Sequence, residues 1–317
     1  MERIFYAFGT VNYIKIEDEI SEDKMDRIIK TALALDDQLS VFKPESEIAM
    51  INSSAGFEPV KVSPNVIKIL KKACYYSEVS QGAFDITIKP AVQLWNVGHK
   101  EQRIPTDSEL EILKSWVDYQ SIVIDEIENT VYLKKSGQAI DLGGIAKGYA
   151  QDLIKEKLVN AGVTSGILNF GGSIMTIGIK KNGAAWRVGI QDPFNKRGKS
   201  IGTIGLKDES LVTSAVNERF FKKNGITYHH ILDPHTLRPA QSGVLSVTAT
   251  GGSAMELDAL TTALFVLGMK KGIDLANQMG MDVLYLLQNG EMYATNGFVS
   301  RDFILQTNNK NSGRIVG

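Results

Sequence analysis

The chain has 317 residues, of which 43% are hydrophobic and 22% charged, with a formal net charge of −1 and a single cysteine, Cys74. This is the make-up of a soluble globular protein, long enough for one large domain or two lobes. Near-neutral charge argues against a nucleic-acid-binding surface or a polybasic membrane patch, and one cysteine excludes an internal disulfide framework or a cysteine-rich metal site. No apolar run reaches the ~18 residues of a membrane helix. Met1-Glu-Arg-Ile-Phe-Tyr carries no signal-peptide pattern, so the expectation is a cytoplasmic protein or, alternatively, an exported lipoprotein whose leader has been removed.

Residues 3–16 alternate as strand does, interrupted by Phe8-Gly9-Thr10. Met25, Ile28, Ile29, Ala32, Leu35 and Leu39 put one apolar face on a helix over 22–39. Residues 40–52 read as a polar turn into a short helix, and Ser63-Pro64 as a capped helix start whose inner face includes Cys74, a structural thiol. Gly82–Trp95 follows, then a capping box at Thr106-x-x-Glu109 before a short helix ending near Trp116. A hairpin over 121–133 turns near Glu128-Asn129. Gln138–Asp141 reads as a short strand, and Ala146, Tyr149, Ala150, Leu153, Ile154 and Leu158 recur at helical spacing. Ile167–Gly178 is strand-like with a glycine pair at its centre, and Trp186–Pro193 a strand entering a turn. Strands near 202–207, 211–215, 228–232 and 245–250 precede helices at about 256–268 and 270–279. Val283–Leu287 and Met292–Thr295 flank Asn289-Gly290, a hairpin signal, and the polar tail from Asn308 is expected to fray. Hairpins mixed with helices, and no linker, predict an α+β chain folded as a single catalytic domain, 1–317, of two lobes sharing one site.

Five places carry chemistry. Asp141-Leu-Gly-Gly-Ile-Ala-Lys-Gly-Tyr-Ala-Gln-Asp152 sets two glycines at a strand-to-helix joint, where bare N–H groups and the helix dipole favour phosphate; its spacing is not that of a P-loop. Asp258 and Thr262 lie four apart on one helix face, two hard oxygen ligands suited to Mg²⁺, or else a dipole-favoured Asp and a Thr bonded back to a carbonyl. His229-His230-Ile-Leu-Asp-Pro234 offers one histidine to a given face of a strand, a general base near neutral pH or simply a hydrogen-bonded residue. Gly82-Ala-Phe-Asp-Ile-Thr87 suits a ring held by its edge, or a helix entry capped by Asp85. Asn169-Phe-Gly-Gly-Ser173 lets backbone approach a ligand, or is a bulge.

Together these segments resemble the ApbE family, the FAD:protein FMN transferases. The likeness runs from Phe8-Gly-Thr through 40–52, 82–95, 141–152, 169–174, 230–234 and 256–268, and Asp-Leu-Gly-Gly-Ile-Ala-Lys-Gly-Tyr-Ala and Asp-Ala-Leu-Thr-Thr-Ala are its most specific parts. The resemblance implies an α+β fold holding FAD in a cleft between two lobes. It implies Mg²⁺ bound by the Asp258 and Thr262 side chains and the Ala146 carbonyl, with Lys147 and Tyr149 along the FAD. Ala83, Phe84 and Asp85 would hold another part of the cofactor, Phe8 and Phe42 would flank the flavin, and backbone near Leu232 would touch it. Asn52 and Gly172 match motif positions, and His230 matches the base. The implied reaction moves FMN from FAD to a threonine or serine hydroxyl of an acceptor flavoprotein, forming a phosphoester and releasing AMP. Water as nucleophile would give an FAD pyrophosphatase, and a site without turnover an FAD-binding protein. Three positions depart from the family pattern: Phe8 stands where Met is usual, Thr213-Ser-Ala215 where a Thr-Ser-Gly loop is usual, and Thr236-Leu-Arg238 where Thr-Gly follows the Asp-Pro turn.

Overall fold

The structure, a computed structural model, describes residues 1–195 and 198–306 and the backbone of Ile315–Val316; apart from that backbone, the tail expected to fray from Asn308 lies outside the described residues. Helices and antiparallel sheets make the α+β fold that the hairpin pattern predicts. The chain divides into two compact units: Met1–Leu35, Lys147–Ala215 and Ser242–Gly317 form the first, Asp36–Ala146 and Val216–Gln241 the second.

The first unit is built on a nine-stranded sheet in the order Glu2–Ala7, Thr10–Ile16, Gly166–Phe170, Ser173–Ile177, Ser210–Ala215, Val244–Gly251, Asp282–Leu287, Met292–Ala294, Ile315–Val316. Every pairing is antiparallel except the last. Period-two alternation splits its side chains between two cores. Ile174, Leu211, Leu284 and Leu286 pack with Val188, Ile190, Ile201 and Ile204 of a three-stranded sheet, Trp186–Gln191, Ser200–Leu206 and Ile304–Leu305. The intervening residues face the Ala254–Gln278 helix, whose Leu264 carbonyl accepts the Tyr285 hydroxyl proton. That helix joins the two predicted at 256–268 and 270–279: Ser253 caps its start, and Gly268 breaks it at φ 75°, ψ 173°.

One expectation is corrected at the glycine pair. Ile167–Gly178 is a tight hairpin, not a bulged strand, because Gly171 and Gly172 take φ 61° and 105°, the left-handed pair a two-residue turn requires. Phe8 and Gly9 do the same at 55° and 68° between the first two strands. Thr213–Ala215 lies in the strand predicted over 211–215, where the family resemblance implied a loop, with Ser214 Oγ donating to Thr261 Oγ1 at 3.0 Å.

The second unit carries helices Glu47–Ser53, Pro64–Val79, Lys89–Trp95 and Asp107–Lys114; Ser63 and the Thr106/Glu109 capping box start two of them where the sequence predicts, and Ser46 caps the first. A small sheet joins Val60–Lys61, Thr130–Leu133 and Ile122–Asp125. Trp95, Leu110, Leu113, Leu232 and Leu237 form its core with Ala91. The strand predicted over 228–232 is two: Ile226–His229 pairs with Phe220–Lys223, while Leu232–Asp233 pairs with Arg238–Pro239. Gln138–Asp141 is not a strand. Ile140 gives its N–H to Asn52 Oδ1 at 2.7 Å and takes Asn52 Nδ2 at 3.0 Å, and Asp141 donates to the Ile86 carbonyl at 2.8 Å. A side-chain amide thus fills the place of a neighbouring strand.

Candidate active site

In the first unit the site is assembled where two helices cross. Ala146, the end of the second unit's first segment, opens the Ala146–Asn160 helix, so Lys147 and Gly148 lie in its first turn. Their partner is Asp258, 6% exposed, one turn into the Ala254–Gln278 helix. Lys147 Nζ lies 3.2 and 3.3 Å from its two oxygens, and the Gly148 N–H donates to Oδ2 at 3.1 Å. A buried carboxylate is costly unless it meets positive charge and donors, and Asp258 has both. The approach depends on Gly148: a Cβ there would stand 2.2 Å from the Ala254 carbonyl oxygen.

One turn further, Asp152 receives the start of the crossing helix. Its carboxylate accepts from Ser253 Oγ (2.8 Å), Ala254 N (2.8 Å) and Met255 N (3.0 Å). Burial pushes this carboxyl up from its ordinary range, and those three donors pull it back only in part. Thr262 Oγ1 donates to the Asp258 carbonyl at 3.4 Å, turning its proton inward and leaving oxygen lone pairs outward.

The same unit gathers two of the predicted turns. The Thr10–Ile16 strand pairs with Gly166–Phe170, so the Phe8-Gly9 and Gly171-Gly172 turns share one end of the sheet; a Cβ on Gly171 would meet Thr10 Cγ2 at 2.7 Å. Gly172, by contrast, has open space where a Cβ would be, and its N–H goes to Asn169 Oδ1 at 2.8 Å. Gln151 Nε2 ties the Lys147 helix to this hairpin through the Ser173 carbonyl at 2.9 Å. Tyr149 is buried and turned away from water.

In the second unit, Asp85 caps the turn Ile86–Ile88: Oδ1 accepts Thr87 N (2.8 Å) and Thr87 Oγ1 (2.6 Å), and Oδ2 accepts Tyr119 N (3.1 Å). Burial pushes its carboxyl up, against those hydrogen bonds. Ala83, Phe84 and Leu232 are buried, whereas Phe42 is 84% exposed with Lys89 Nζ 5.9 Å from its ring centre. Asn52 is committed to Ile140 by both atoms of its amide. Burial, and the Asp85 carboxylate after it, push the Cys74 thiol up to about 12, which removes it as a nucleophile.

His230 is anchored through one carbonyl. Arg219 O accepts the His230 N–H at 3.1 Å and contacts Nδ1 at 3.2 Å. A carbonyl only accepts, so Nδ1 carries the proton and Nε2 the basic lone pair. The structure thus brings Lys147, Asp258 and Thr262 together in one unit and Phe8 with Gly172 at one sheet end. Sequence reasoning assigned no role to Gly148, Gln151, Asp152 or Arg219, whose partners Ala254, Ser173, Ser253 and His230 lie 11 or more positions away.

The fold is one already seen in flavin transferases. The ApbE protein of Thermotoga maritima matches it with a TM-score of 0.86 at 31% identity, over 95% of this chain and 98% of that one. A histidine-to-glycine mutant of the flavin transferase ApbE from Vibrio cholerae matches with 0.85 at 27% identity, over 95% and 99%. A protein of Treponema pallidum named FAD:protein FMN transferase is 34% identical across 84% of this chain and 78% of its own length. The ApbE family model matches residues 8–285, and the chain belongs to the ApbE family.

Proposed function

We propose that the protein transfers FMN from FAD to a threonine or serine hydroxyl of an acceptor flavoprotein, releasing AMP. The observation that carries the reading is the buried Asp258 carboxylate, held by Gly148 and faced by Lys147, in a chain whose relatives are named for this reaction. Its donor set also fits a hard cation. Lys147 Nζ already stands as a positive charge against both carboxylate oxygens, and the Thr262 hydroxyl has its proton turned away. Among the described residues no three His, Cys, Asp or Glu converge. One carboxylate plus hydroxyl and carbonyl oxygens is a set Mg²⁺ accepts, with water and phosphate completing its shell. Asp258, Thr262 and the Ala146 carbonyl would hold it, and bound there it supplies charge neutralisation for a pyrophosphate.

The chain's own groups account for the remainder. Lys147 answers a phosphate charge. Phe8, Phe42, Asn52, Ala83, Phe84, Asp85, Tyr149, Gly172 and Leu232 are the positions assigned to FAD. Several of these, such as Asn52 and Asp85, act by shaping backbone, since their polar atoms are engaged within the chain. Nε2 of His230 removes the acceptor hydroxyl proton; the oxygen forms a bond to the FMN-side phosphorus, the pyrophosphate P–O bond breaks, and its electrons leave on AMP.

Incubation of the protein with FAD, Mg²⁺ and a candidate acceptor tests this. Covalently bound yellow flavin with free AMP is expected; free FMN alone means a pyrophosphatase, and unchanged FAD a carrier. His230→Ala is expected to cut transfer by about 10²–10⁴-fold while FAD still binds; loss of FAD binding in that variant would remove the assignment as base. Asp258→Ala is expected to abolish transfer at any Mg²⁺ concentration, and a fully active variant would refute the metal site.

A further inference from the structure

The near-zero net charge conceals local concentrations of positive charge, and one of them lies on a ribbon of the second unit. Across residues 216–229 there is one acid, Glu218, against Arg219, Lys222 and Lys223. The three cations are exposed and lie on the ribbon Phe220–Lys223/Ile226–His229 or at its foot. Among the described residues the ribbon pairs with no other sheet, and its tip, Asn224 and Gly225 at φ 53° and 78°, is a two-residue turn whose backbone twist keeps the strands in register. Its root is fixed: Phe221 stacks on Tyr228 at 5.1 Å, Tyr228 lies 5.7 Å from Trp95, and Trp95 Nε1 donates to the Leu237 carbonyl at 2.7 Å. At the foot of the ribbon Phe220 is 45% exposed, and at its tip Ile226 is 55% exposed. A rigid ribbon that presents apolar side chains among like charges is costly in isolation and suited to a surface of opposite charge. The ribbon also ends at the base, since Arg219 at its foot supplies the carbonyl that orients His230.

We propose that this ribbon is where the acceptor protein docks, and that it takes an acidic segment carrying an apolar residue, delivering the neighbouring hydroxyl to His230. The proposal rests on the transfer reading above. Phe220 and Lys222, two apart on one face of the ribbon, meet the apolar residue and a carboxylate, and Lys223 beside the tip meets a second carboxylate.

The test uses two fluorescent synthetic peptides, each with a central threonine and one leucine, flanked in one by Asp and Glu and in the other by Asn and Gln. Binding is followed by anisotropy with the wild type, with K222E/K223E, and with K270E/K271E, an equal charge reversal at two exposed lysines of the first unit. The acidic peptide is expected to bind the wild type and K270E/K271E alike and K222E/K223E about tenfold more weakly, with the neutral peptide weak throughout. Equal binding of the acidic peptide to all three proteins, or none to the wild type, overturns the proposal. A fall in FAD affinity in K222E/K223E with peptide binding unchanged assigns the ribbon to the cofactor and overturns it. So does loss of binding to phosphatidylserine vesicles with peptide binding unchanged. Failure of the transfer reading shows separately, as a wild type that never releases AMP in the presence of an acceptor, and leaves the peptide titration standing.

Discussion

At Leu237 two residue-scale terms oppose each other. The backbone is left-handed, φ 56°, where glycine would be unstrained, and a branched side chain there costs about 1–2 kcal/mol. The side chain is fully buried with Trp95 and Leu232, and burying a leucine contributes about 2 kcal/mol or more. Packing wins, which is why leucine is tolerated. Leu237→Ala keeps the strain and leaves a cavity, so a loss of about 3–5 kcal/mol is expected; Leu237→Gly relieves the strain and is expected to cost about 1 kcal/mol less. Thermal melts should rank wild type, then glycine, then alanine, and the reverse order of the two variants would show an unstrained backbone.

The element that matters most for the site is the crossing of the Ala146–Asn160 and Ala254–Gln278 helices. Two contacts one turn apart fix it, Gly148 against the Ala254 carbonyl and Asp152 on the first N–H groups of the second helix. Asp258 follows Ala254 by one turn, so its carboxylate is placed by the cap. Asp152→Asn keeps an acceptor but removes the charge at that helix N-terminus, a loss of about 1 kcal/mol. Its activity is expected to need about tenfold more Mg²⁺ at unchanged FAD affinity, with faster hydrogen exchange at Ala254 and Met255; unchanged Mg²⁺ dependence would make Asp152 a cap and nothing more. This crossing also marks where the sequence stops being legible. The helices, hairpins and capping boxes follow from spacing and short-range chemistry, and the Asp258/Thr262 pair from a four-residue interval. Asp152 bonding a residue 101 positions away leaves no such local trace, and neither does Asn52 standing in for a strand beside Ile140, 88 positions on. The misread strand at 138–141 and the missed Gly148 share that cause: their partners come from elsewhere in the chain.

For the molecule as a whole, acid is expected to act through Asp18. It accepts the amides of Thr164 and Ser165 at 2.7 and 2.8 Å and faces Lys181 at 2.9 Å, so it clips the end of the Thr10–Ile16 strand to two later loops. Burial pushes the carboxyl up, but the Lys181 ammonium and the two amides outweigh it and bring it down from 3.8 to about 2. A carboxyl lowered by folding adds stability that is fully present above the unfolded value and lost as pH falls through the folded one. Urea midpoints of the wild type should therefore drop between pH 3.8 and about 2 more steeply than those of Asp18→Asn; parallel curves would show that the clip contributes nothing.

The pairing of Thr10–Ile16 with Gly166–Phe170 also sets a timetable. The first unit's sheet takes in strands from both ends of the chain: its central strand, Ser210–Ala215, gains its second neighbour only once Val244–Gly251 has been made, and Asp282–Leu287 adds later still. The second unit draws most of its residues from the single run Asp36–Ala146, whose contacts are short in sequence and cheap to close. During synthesis the helices carrying Asp85 and Trp95 can be in place while the edge hairpin 2–16, with Ile4 and Tyr6 exposed on its outer face, still waits for its neighbour. Chaperone dependence in this protein should therefore track the first sixteen residues, and not the motif-rich middle of the chain.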